Sequence, residues 1–118
     1  MPLIVTTTQA ALAKAYTLIN GATGLFLSIH NADPGPTGTP ATEATGGGYT
    51  RQPVTWAPVT TGTASGNQVS MTVPAGTWTY AALWTAATGG TMVDRVQIAS
   101  TQVPGPSTLL VTPSFTIS

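Results

Sequence analysis

LFLSIHNADPGPTGTPATEATGGGYTRQPVTW, residues 25–56, decides how the rest of the chain is read. Leu25, Leu27 and Ile29 alternate with Phe26, Ser28 and His30, the period-2 pattern of a half-buried strand. Asn31, Asp33, Pro34, Gly35 and Pro36 end that strand, because proline offers no N–H to a ladder and fixes its own φ. Residues 37–45 show no hydrophobic period, and residues 49–56 read as a new strand, made short or placed at an edge by Pro53 and Pro58. A connection this long is uncommon in a compact domain and is usually functional or disordered. Asp33 and Glu43 lie in it and Arg51 just beyond, so it is the first candidate for a working surface.

Outward from this stretch the chain continues as β. Val69, Met71 and Val73 form an inward face, and residues 74–76 a turn. Residues 77–87 read as the central strand, with Trp78, Tyr80, Ala82 and Trp84 on one face. Residues 91–99 and 109–117 supply further strands, while 61–67 read as a turn of Gly, Thr and Ser. Upstream, Thr6–Thr8 are N-cap candidates for a helix over about 8–20, stopped by Asn20-Gly21. Its apolar stripe is Leu12, Ala15, Tyr16 and Ile19. The expected fold is mainly β: a compact antiparallel sandwich, Ig-like or jelly-roll-like, of about six to eight strands with one short N-terminal helix. The whole chain reads as a single domain, 1–23 forming an arm and helix and 24–118 the sandwich.

Composition narrows the function. Three basic and three acidic residues cancel to a formal net charge of +0. Nothing steers such a chain to nucleic acid or an anionic membrane, and no apolar run is long enough to span a bilayer. Residues 1–5 are too short, and lack the basic region, for a signal peptide. A neutral surface favours association, so the composition suits an assembly; the alternative is a monomer kept soluble by Thr, Ser and Asn.

Signals for chemistry are weak. His30 is the single histidine and cysteine is absent, so a zinc site lacks ligands and no cofactor is implied. The simpler role for His30 is a strand-end side chain bonded to its own loop. Ser and Thr are abundant, but no G-x-S-x-G turn or second base accompanies them, and no enzyme is expected. Glu43 sits on a Thr/Gly loop that reads as mobile. Arg51 and Arg95 are each expected to meet a carboxylate, Asp94 or Asp33 within the subunit or Glu43 of a neighbour, either as an interface clamp or as a solvated pair. Leu12, Tyr16, Ile19, Asp33, Glu43, Tyr49, Arg51 and Arg95 are the candidate interface residues. Trp78, Tyr80 and Trp84 offer a possible carbohydrate platform, although core packing is the commoner use of aromatics on a central strand.

Two blocks carry a resemblance. His30-Asn31-Ala32-Asp33-Pro34-Gly35, Thr37-Gly38, Glu43, Gly46-Gly47, Tyr49, Arg51 and Val54-Thr55-Trp56 form the first, and residues 83–90, LWTAATGG, the second. With the closing Thr116-Ile117-Ser118, they resemble a family of small bacteriophage virion proteins, common in phages of actinobacteria and labelled tail fibre-like or minor capsid proteins. The resemblance implies a structural role in a virion assembled in the bacterial cytoplasm. Its partners would be the major capsid protein or tail proteins and further copies of itself, a trimer being a common arrangement for such proteins. Lacking a stalk, collagen-like repeat or heptads, the chain reads first as a capsid decoration or minor capsid protein stabilising the shell by mass action. A tail-tip or tail fibre module is the alternative, and a glycan-binding domain the third reading.

Overall fold

The computed structural model describes residues 6–116. The expectations for residues 1–5 and for Ile117 and Ser118 lie outside the described residues. Within them the protein is mainly β and antiparallel, with one α-helix and eight strands.

Helix α1 spans Thr6–Thr17, so the threonines expected to precede it form its first turn instead. It ends at Thr17 rather than at the expected Asn20; residues 18–20 form a turn, and Asn20 and Gly21 then take φ of 68° and 56°, the left-handed region these residues tolerate. The Asn20 amide then ties the helix end to the sheet, donating to Gly24 O at 2.6 Å and Thr85 O at 2.7 Å. Its buried face differs from the expected stripe. Ala13 is fully buried and Tyr16 and Ile19 partly so, while Leu12 is 44% exposed. The helix packs on two short strands, β3 (Thr63–Ser65) and β8 (Ser114–Thr116), where Tyr16 stacks on Phe115 with centroids 3.9 Å apart. That stacking contact fixes the helix rotation and leaves Leu12 outside.

The main sheet has the order β2-β1-β5-β6. Strand β1 is Phe26–His30, β2 only Gln52–Pro53 at the edge, β5 Gly76–Trp84 and β6 Met92–Val103. Leu27 lies opposite Leu83 and Ile29 opposite Ala81, on the face that joins Leu25, Met71 and Trp78 in the core. Phe26 opposite Trp84, Ser28 opposite Ala82 and His30 opposite Tyr80 form the other face. Strand β1 was expected to be half-buried, yet Leu27, Ser28, Ile29 and His30 are all buried. The reason is that the long loop folds back over the second face.

Strands β4 (Val69–Val73) and β7 (Ser107–Val111) pair as a separate ribbon. Val73 faces Ser107 and Gly76 faces Val103, so β4 runs into β5, and β6 into β7, across a seam containing Pro74, Pro104 and Pro106. The continuous ribbon folds at that seam, so that Val69, Met71 and Val73 join the core with Leu27, Ile29 and Leu83, and Val111 comes to line the same hollow as Leu83 and Asp94. This places the β4–β7 pair against the core face of the main sheet, a sandwich-like arrangement, in a molecule measuring 46 × 27 × 25 Å. Residues 61–67 were expected to be a turn but contain β3. Ala64 is its one buried side chain, too little for alternation to register.

Met71 is fully buried in β4 and Leu110 is 58% exposed on β7. Met71→Ala should therefore lower the unfolding free energy by about 2–5 kcal/mol in urea titration, and Leu110→Ala by no more than about 0.5 kcal/mol.

Candidate functional site

The loop after β1 is folded. Ala44 N–H donates to Ile29 O and Asn31 N–H to Thr42 O, both at 3.0 Å, so residues 42–44 continue the edge of β1 that β2 also borders. Farther out, the Asp33 carboxylate accepts from Gly35 N–H at 2.8 Å, Thr39 N–H donates to Pro34 O at 2.8 Å, and Pro40–Thr42 make one 3-10 turn. Gly38 sits on the sheet with φ +76°, where a Cβ would lie 2.8 Å from Met92 Cβ and 3.0 Å from Trp84 Cη2. Only glycine fits both the dihedral and the space.

At the loop's base Arg51 is clamped. Its Nε donates to Glu43 Oε2 and its Nη2 to Oε1, each at 2.8 Å, a bidentate fork. Its Nη1 donates to Ala86 O at 3.0 Å and Gly89 O at 2.7 Å, and the guanidinium lies 4.0 Å over the Trp84 ring. Tyr49 OH adds a third bond to Glu43 at 2.7 Å. One ion pair thus joins the loop, the start of β2, the β5–β6 turn and the central strand. Arg51 meets the Glu43 of its own chain, and the loop that carries Glu43 is tied to the sheet.

A second chain of polar groups runs beside the clamp. Trp84 Nε1 donates to Ser28 Oγ at 2.7 Å, Ser28 Oγ contacts His30 Nε2 at 2.7 Å, and His30 Nδ1 contacts Thr42 Oγ1 at 2.8 Å. His30 is bonded to its own loop, as its sequence position suggested. A neutral imidazole, accepting at Nε2 and donating at Nδ1, satisfies both contacts. Burial lowers the His30 pKa, with Glu43 opposing and Arg51 reinforcing the shift. Burial pushes the Glu43 carboxyl up, but hydrogen bonds from Arg51 and Tyr49 and the Arg51 charge outweigh it and hold it low. The Tyr49 phenol is pushed up by burial and by its bond to Glu43.

Above the clamp lies an open concavity of about 540 Å³, lined by Thr37, Gly38, Thr50, Thr88, Glu43 and Arg51 among others. No cluster of three or more His, Cys, Asp or Glu side chains suited to a metal occurs among the described residues. Nor is any helix there long and apolar enough to cross a membrane.

The other anticipated residues are dispersed. Arg95 and Asp33 pair at 2.8 Å on the surface, their side chains 33% and 47% exposed. Tyr16 OH donates to Asp94 Oδ2 at 2.8 Å, and its ring meets Trp56 edge-on as well as stacking on Phe115, so it serves the helix contact. Trp78 and Trp84 are 5% and 4% exposed and face opposite layers, Trp78 in the core and Trp84 under Arg51. With Tyr80 also partly buried, the aromatic row is packing and presents no flat platform. Ser28 and Thr42 belong to the network but carry no sequence signal, since only the fold brings them to His30.

Residues 6–110 match the family model described as podophage GP4 fiber I protein gp80. No curated protein matches the chain. The match agrees with the virion role implied by the resemblance and does not bear on an actinobacterial host.

Removing one partner of the clamp strands a buried charge. Arg51→Met should cost about 3–5 kcal/mol, and the Glu43→Gln/Arg51→Met double variant clearly less than the sum of its singles, read from a urea double-mutant cycle. Acid should destabilise in two steps. The unfolded chain binds more protons below the ordinary His value of 6.5, so stability falls as pH drops from there through the lower folded pKa of His30. A second loss starts below the ordinary carboxyl value of 4.5 and runs through the lowered pKa of Glu43. Urea midpoints between neutral and acid pH should show both steps, and His30→Asn should flatten the upper one.

Proposed function

The chain belongs to the podophage GP4 fiber I protein family, and we propose that it is a non-enzymatic structural subunit of a tail fibre. The observation that carries this is the family match, which runs from α1 into β7 and so takes in the clamp and the loop. Sequence reasoning ranked capsid decoration first for want of a stalk or repeat; the fibre description moves the proposal to the tail. An elongated body, 46 Å in its long dimension, suits a fibre segment. Its surface carries few charges and many threonine hydroxyls, which suits contact with neutral partners.

In this reading the partners are other tail proteins and further copies of the chain, with a trimer as the simplest arrangement. Assembly takes place in the bacterial cytoplasm, in keeping with the actinobacterial host that the sequence blocks suggest. The fixed loop at residues 31–48 and the exposed Asp33–Arg95 pair form one contact surface, and Leu12 with Leu18, 61% exposed, a second. Neither surface needs chemistry. Its role is to hold shape and to touch.

Quantitative mass spectrometry of purified virions tests the assignment. A fibre subunit should be present in a small copy number, a multiple of three per virion. Hundreds of copies in simple ratio to the shell protein would overturn the tail reading in favour of capsid decoration.

A further inference from the structure

We propose that the concavity beside the Glu43–Arg51 pair is a binding site for a neutral saccharide, gripped through two adjacent hydroxyl groups. This rests on the fibre reading and adds a ligand class to it. The Glu43–Arg51 pair leaves hydrogen-bonding valences unused. A guanidinium has five N–H donors, and in Arg51 four are engaged: one at Nε, two at Nη1 and one at Nη2. A carboxylate has about four acceptor sites, of which Glu43 uses three, two on Oε2 and one on Oε1. One donor remains on Nη2 and one acceptor on Oε1, and these two atoms are 2.8 Å apart. A donor and an acceptor side by side match a pair of neighbouring hydroxyls, one accepting and one donating.

The surroundings select the same class. Both residues line the concavity, and with Arg51 only 8% exposed the pair is held rigid before any ligand arrives. An anion would meet the Glu43 carboxylate and a cation the Arg51 guanidinium, so each charged class is repelled by one member of the pair. Thr37, Thr50 and Thr88 offer further hydroxyls on the walls. The volume, about 540 Å³, lies in the range of small-molecule sites. Because Arg51 covers the Trp84 ring, the sugar is not stacked on that aromatic face and is held by hydrogen bonds, so a single unit binds weakly. Repetition along a fibre would raise the effective strength through multivalency.

The test is a two-dimensional NMR titration of the ¹⁵N-labelled chain with galactose, glucose, mannose, arabinose and rhamnose, and separately with sodium acetate. At least one sugar should shift the Arg51 Nε–H signal and the amides of Gly38, Gly89 and Gly90 in a saturable manner, and acetate should not. Thr88→Trp should weaken binding tenfold or more with the remaining spectrum in place. Thr37→Tyr obstructs the site independently, from the long loop. A titration blank for all five sugars, a shift produced by acetate alone, or undiminished shifts in both obstructed variants would overturn the site. None of these results touches the fibre assignment, which is read from copy number.

Discussion

The Glu43–Arg51 pair is the constraint on which the rest of the structure depends. Taking two charges out of water costs several kcal/mol per ion, and the mutual attraction repays this only when every remaining donor and acceptor is placed. Here nearly all are placed: Tyr49 on the carboxylate, two turn carbonyls on the guanidinium and the Trp84 ring beneath it. Such a pair adds little net stability over a well-packed apolar replacement. What it supplies is uniqueness, since an alternative loop conformation would leave one of the chain's six charges buried and alone.

The consequences spread through the sheet. With the loop pinned, the Ser28–His30 face of β1 is covered, and a strand that would otherwise be wet on one side becomes central and dry on both. That burial holds His30 neutral and lets Trp84, Ser28, His30 and Thr42 join in one line of hydrogen bonds. The opposite face is conventional packing of Leu, Ile, Met and Val, shared with the folded-over β4–β7 pair. Two layers therefore flank the sheet by different means, one apolar and regular, one polar and held by an irregular loop.

Much of the fold was legible because alternation is a strong signal wherever one face is apolar. Val69-Met71-Val73 and Leu25-Leu27-Ile29 were read correctly on that basis, and Pro53 announced a short edge strand. Where one residue carries the burial, as Ala64 does in β3, the signal vanishes. The helix phase was misread for a related reason: a stacked Tyr16–Phe115 pair and a small Ala13 set the rotation, while size alone favoured Leu12. Of the site, the participants Glu43, Tyr49 and Arg51 were singled out, but not their mutual contact. The two charges lie eight positions apart, and a Gly/Thr-rich linker reads as mobile until the carbonyls of Ala86 and Gly89 are brought to Arg51. Those carbonyls are backbone, with no signature in any side chain.

Hydrogen exchange read by NMR tests most directly whether the clamp holds the loop. In the native chain the amides of Asn31, Thr39 and Ala44 should be protected nearly as well as those of the β1–β5 ladder. In Arg51→Gln they should exchange far faster, with the β4–β7 ladder still protected. Loop amides that exchange freely in the native chain, or that keep their protection after loss of Arg51, would contradict the account.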